Sequence, residues 1–238
     1  MLFEARFANE LYRCGITAQY EHKAGIGDST IDFAIQTDPD LWLIELVIAE
    51  ETQAIGIATY EQELMGPSGD ALGVKGRFLE LRSDAADQKS TIAGEMLKLQ
   101  VKLYEKVEKG GKPHKFPVPA ANVKHAIVID ARGFAGGDGL NNEELRQLVY
   151  GPENVKDQRV VQFFGDDVVL GIFDARNERP GAQLLRERIH LIGFVREEEF
   201  GASKFQEQVS YHVNPFLPEY ETFFEGFPLK RSTAVVVS

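Results

Sequence analysis

The chain has 238 residues, of which 43% are hydrophobic and 26% charged, proportions that fit a folded globular protein and exclude a disordered or fibrous one. One enlarged domain, or a core with an appendage, is expected at this length, since domains commonly run about 100–200 residues. The formal net charge of -11 argues against broad, nonspecific nucleic-acid binding, because duplex affinity rests on cations that displace counterions from phosphates. Lysines gathered along one groove would escape that argument.

No stretch approaches the roughly 18–20 apolar residues that a bilayer span needs, and Glu4, Arg6 and Glu10 charge the first ten residues. No membrane partner and no secretory leader are therefore expected, with the cytoplasm as the location. The single cysteine, Cys14, lacks an intramolecular partner and is expected as an inert core thiol.

Phe3, Phe7, Leu11 and Cys14 recur at helical spacing and predict an N-terminal helix ending near Gly15. Strands are predicted at 16–20, 30–36 and 41–48, with turns at 25–29 and 37–40, so that the second and third strands form a hairpin. The run from Leu41 to Ile48 is apolar on both alternating faces except at Glu45, the pattern of a central strand covered on both sides. Residues 49–73 have mixed character, and 78–81 read as a further short strand.

A long helix is predicted over 87–109, with Met96, Gln100, Leu103, Tyr104 and Val107 on one face and Gly110 and Gly111 ending it. A proline-bearing connector at 113–119 leads to a buried strand at 124–130, whose end opens into the glycine-rich loop 133–139. Beyond it come a helix at 141–150, strands at 160–164 and 168–173, a helix at 182–188 and a last strand at 189–195. Residues 196–199 and the tail from 219 read as solvated surface. The fold class is α/β, a mixed central β-sheet flanked by helices, with a core at 1–140 and an α/β C-terminal extension at 141–238 packed on it as one unit.

Asp32 lies in the second strand and Glu45 in the third, so the hairpin brings their chain segments side by side. Two carboxylates there could share one divalent ion, and oxygen ligands suit Mg2+ or Mn2+, which polarise a phosphate and activate a water. Glu45 is embedded among apolar neighbours, where an ionised carboxyl without a partner is expensive.

An N-terminal helix carrying Glu4, followed by the strand pair Ser29-Thr30-Ile31-Asp32-Phe33 and Ile44-Glu45-Leu46-Val47, resembles the core of the PD-(D/E)XK nuclease superfamily. The likeness covers roughly the first 130 residues. It implies a restriction-endonuclease-like fold, metal-dependent cleavage of nucleic acid, and metal ligation by Asp32, Glu45 and Glu4. The chain departs from the pattern in having Val47 where the lysine is expected and Ile31 where the proline is expected. Gln100-Val101-Lys102-Leu103-Tyr104 is similar to the glutamine and tyrosine spacing of the RecB-like branch, in which the glutamine faces the site. Lys89 lies eleven residues before Gln100, about three turns, and is the candidate for a migrated lysine, with Lys98 and Lys102 ranked behind it.

Two other classes stand beside this one. A catalytically inactive descendant serving as a protein-interaction module is favoured by Val47 and by the net charge. An α/β enzyme acting on a small anionic substrate would centre on Arg132 and the glycine-rich loop. The histidines lack metal-ligand spacing, and neither a phosphate loop nor a nucleophile elbow is present.

Overall fold

The structure is a computed structural model that describes residues 2–23, 25–49, 59–65, 67, 69–79, 92–131, 140–151, 169–195, 209–218, 220, 222–229 and 234–235. The predicted strand at 160–164, the glycine-rich loop 133–139 with Arg132, and the segment 196–199 lie outside the described residues.

Helix α1 (Leu2–Arg13) buries Phe3, Phe7 and Leu11, the stripe its spacing predicts. Cys14 does not follow them into the core and is exposed. Its N–H still bonds the Glu10 carbonyl at 3.0 Å, but the helix ends directly after it: Gly15 takes φ +69° and the Ile16 N–H donates back to the Leu11 carbonyl, so Cys14 stands in the fraying last turn.

Three antiparallel strands follow, β1 (Gln19–His22), β2 (Ile31–Gln36) and β3 (Leu41–Ile48). The turn between β2 and β3 is closed by the Thr37 N–H on the Asp40 carbonyl at 2.7 Å. Two further strands, β4 (Thr59–Met65) and β5 (Ala71–Leu79), form a separate antiparallel pair in the stretch of mixed character. Gln62, Glu63, Leu64 and Met65 are all exposed, so β4 lacks the alternation by which a half-buried strand is read from sequence.

Helix α2 (Ile92–Val107) is followed by β6 (Glu108–Lys109) and β7 (Lys112–Pro113). Gly110 and Gly111, at φ +60° and +74°, form the two-residue reversal between these strands rather than a helix cap. Strand β8 (Val123–Asp130) leads to α3 (Asn142–Tyr150). That helix opens on a capping box, in which the Asn141 side chain accepts from the Glu144 N–H and the Glu144 carboxylate accepts from the Asn141 N–H. Then come α4 (Pro180–Arg188), β9 (Leu191–Val195), β10 (Val209–Val213), α5 (Phe223–Gly226) and β11 (Ala234–Val235).

Among the described residues seven strands make one mixed sheet in the order β1-β2-β3-β8-β9-β10-β11. β3, β8 and β9 are parallel, while β10 runs antiparallel to β9. The sheet is therefore continuous across residue 140. On one face Leu43, Val47, Ile127 and Ile192 pack under α2, α3 and α4; on the other Phe33, Trp42, Ile44 and Tyr211 pack under α1 and the C-terminal segment.

Two expectations change. Residues 169–173 form no strand: the N–H groups of Ile172 and Phe173 donate to the Leu148 and Val149 carbonyls, which the end of α3 leaves without helical partners. The tail is not all solvated surface, because Phe227 and Leu229 are buried and the Phe227 ring meets Trp42 edge-on at 4.9 Å. Its few large apolar residues cover a sheet face that α1 leaves open.

Asn214 closes the end of α4. Its fully buried amide donates to the Arg186 carbonyl at 2.8 Å and the Ile189 carbonyl at 2.7 Å, and its Oδ1 accepts the Phe216 N–H. Asn214→Ala is expected to leave these groups unsatisfied and to cost about 1–3 kcal/mol in urea denaturation. A loss below about 0.5 kcal/mol would mean that water reaches them.

Candidate functional site

The β2–β3 ladder sets the geometry. Extending the register of Phe33 opposite Ile44 by one residue sets Asp32 against Glu45, and directly opposed residues share a face. That face is the one under α2, because Glu45 alternates with Leu43 and Val47, which pack against Met96, Leu99 and Leu103. Beyond this point the Leu46 N–H donates to Asp32 Oδ2 at 2.7 Å, so the Asp32 side chain takes a backbone donor of β3.

Glu45 is 1% exposed. Its Oε1 accepts from Lys106 Nζ at 2.9 Å and also from Lys115 Nζ. Its Oε2 is buried with no hydrogen-bond partner. The Asp32 carboxyl is held above its ordinary pKa, first by burial and then by the charge of Glu45, against the Leu46 N–H and the two lysines.

Lys106 reaches Glu45 because α2 runs antiparallel to β3 with its flank along the strand. Lys102, one turn earlier, donates to the Ile48 carbonyl at 3.3 Å, and Lys106 then falls beside Glu45. Lys115 arrives from the connector. The Phe116 N–H bonds the His114 carbonyl at 2.7 Å around Lys115, whose φ is +59°, a tight turn that costs a non-glycine residue on the order of 1–3 kcal/mol. A Cβ at Gly25 would run into the Lys115 carbonyl oxygen, so the turn after β1 needs glycine to sit against it. On the other side Arg188 Nη1 holds the Phe116 carbonyl at 2.7 Å. Lys106, Lys109, His114 and Lys115 line an open cleft of about 660 Å3 at the end of α2. Burial, then the neighbouring lysines, lower the His114 pKa.

The other candidates sit elsewhere. Glu4 accepts the Tyr20 hydroxyl at 2.9 Å and pushes that phenol up to about 12. It belongs to α1, which packs on the opposite face from Glu45. Gln100 is buried and donates to the Leu148 and Leu170 carbonyls at 3.2 and 2.8 Å, while its Oε1 accepts from Tyr104. It binds α2 to α3 and to the segment after it, about 240° around the helix from Lys106. Lys89 lies outside the described residues. Among the described residues no group of three or more His, Cys, Asp or Glu side chains is placed to hold a metal ion.

Two carboxylates with one buried, unpartnered oxygen are nonetheless a donor set that a hard cation of the magnesium type can use, because such ions keep several waters and often take only one or two carboxylates. Sequence reading missed Lys106 and Lys115. A buried acid demands cations, and the repeat of Lys98, Lys102 and Lys106 at four-residue spacing was the available signal for one of them; nothing local marks Lys115.

No helix among the described residues is long and apolar enough to cross a membrane. Comparison with protein-family models, curated proteins and solved structures finds no match for the chain.

Proposed function

We propose that the chain is a nuclease-like protein that acts on nucleic-acid phosphodiesters through Asp32 and Glu45 and one divalent cation, Mg2+ or Mn2+. The observation that carries this reading is Glu45, buried on the face it shares with Asp32, with two ammonium groups on one oxygen and none on the other. A cation bound there would polarise the phosphate and lower the pKa of a water. Asp32 and Glu45 would hold it. Lys106 and Lys115 neutralise the Glu45 carboxylate in the free chain and stand where they can present positive charge to a phosphate, work that Val47 cannot do.

The charge distribution also supports it. Between Lys98 and Lys115 six lysines stand against Glu105 and Glu108, in a chain of net charge -11. Such a concentration answers the objection that an acidic protein is poorly suited to a polyanion.

Cleavage of plasmid and single-stranded DNA with Mn2+ or Mg2+ tests the reading. Wild type is expected to cut, and Glu45→Ala and Asp32→Ala to lose on the order of 10²- to 10³-fold in rate, the usual size of loss when a charge-stabilising group is removed. Cleavage that survives both substitutions would sink the assignment.

A second reading rests on Val47, which is 4% exposed and packed in the core under α2. A chain that has lost its chemistry and binds a protein partner through the same fold would show no cleavage under any metal.

A further inference from the structure

The site carries its own counter-charge. Asp32 and Glu45 contribute two negative charges and Lys106 and Lys115 two positive ones, both placed on one Glu45 oxygen. A divalent cation that approaches the free protein therefore meets a neutral group of four side chains and two ammonium ions beside the carboxylate it needs. Coulomb repulsion from those ammoniums offsets the attraction of the acids. A phosphodiester supplies what is missing, a negative charge and two free oxygens able to accept hydrogen bonds from the same lysines.

Both lysines have room to make that exchange. Their side chains are 29% and 20% exposed, and both line the open cleft at the end of α2. The backbone of Lys115 is fixed by its tight turn and by Gly25, so the exchange needs side-chain rotation alone.

We propose that Lys106 and Lys115 are tethered counter-ions, which hold Glu45 while no nucleic acid is present and release it when a phosphodiester draws their ammonium groups onto its oxygens. Metal and nucleic acid then bind together, each tightening the other by the same factor, as linkage requires. This role rests on the nuclease-like reading and adds to it an order of assembly. The free protein binds metal weakly, and the complete site forms only on substrate.

Manganese binding, read by electron paramagnetic resonance, tests the proposal on the full chain with and without an oligothymidylate whose phosphorothioate links resist hydrolysis. The oligonucleotide is expected to tighten Mn2+ binding about 5- to 150-fold, the usual range of coupling between sites. Lys106→Gln and Lys115→Gln, made singly so that Glu45 keeps one cation and the fold survives, are each expected to raise the Mn2+ affinity of the free chain and to shrink the coupling. Circular dichroism verifies the fold of each variant. Equal Mn2+ affinity with and without the oligonucleotide would overturn the counter-ion role and leave the nuclease-like reading standing. So would weaker Mn2+ binding by the glutamine variants. If neither Mn2+ nor oligonucleotide binds in any combination, the nuclease-like reading itself falls, and the counter-ion role with it.

Discussion

Methionine at both Lys106 and Lys115 is expected to lower the free energy of unfolding by about 3–5 kcal/mol, the usual cost of leaving one partner of a buried ion pair without its counter-charge. The physical reason is the asymmetry of burial. Glu45 is 1% exposed and cannot turn to water, whereas both lysines can. Removing the acid instead, as Glu45→Leu, is expected to cost far less, because two part-exposed ammonium groups swing into the cleft and leucine suits a position between Leu43 and Val47. Urea denaturation of the two variants measures the difference directly. Equal losses would show that Glu45 is wetter than its surroundings indicate, and the assignment of the two lysines as its counter-charge would lose its footing.

Acidification is expected to unfold the protein well above the range where ordinary carboxylates titrate. His125, His190 and His212 are buried, and burial lowers their pKa values from 6.5 to about 4, 3 and 3. The bonding agrees with neutral rings. The His125 backbone N–H donates to His190 Nδ1 at 3.0 Å, which a protonated Nδ1 could not accept. His125 Nδ1 donates to the Arg188 carbonyl, and Nε2 is buried with no partner, so a proton there would be a buried donor without an acceptor.

A folded pKa below the unfolded value means that the unfolded chain binds more protons. The stability from each ring is therefore complete above pH 6.5 and is lost as pH falls toward the folded value. The slope is about 1.4 kcal/mol per pH unit for each ring. Asp32, whose pKa is raised, acts in the opposite direction by gaining stability on protonation, but it is one group against three. Denaturation series at pH 7.5 and at pH 5 check this, with a loss of several kcal/mol expected at the lower value. A flat profile would mean that the rings are solvated or already charged.

Much of the sheet was readable from residue order. β2, β3 and β8 are short apolar runs bounded by turn residues, and each lies within one residue of its expected place. The stripe Phe3, Phe7 and Leu11 is likewise a local signal, because an amphipathic face is fixed by neighbours three and four residues away. β4 failed because its described side chains face solvent, and residues 169–173 failed because an apolar run reads the same whether it covers a helix end or joins a sheet.

At the site, the sequence by itself determined that two acids occupy adjacent strands and that Glu45 is an isolated charge in an apolar strand. A two-residue side-chain period and a short hairpin leave no other outcome. Only the tertiary structure decided what neutralises that charge. Lys106 stands 61 residues from Glu45 and Lys115 stands 70, and their arrival depends on the direction of α2 across β3 and on a left-handed residue held between Gly25 and Arg188. Gln100 shows the same limit from the other side, since periodicity put it on a buried face but not on which side of the helix the acids would lie. Partners brought together by packing leave no spacing rule in the chain, because the distance that matters is measured across the sheet rather than along it.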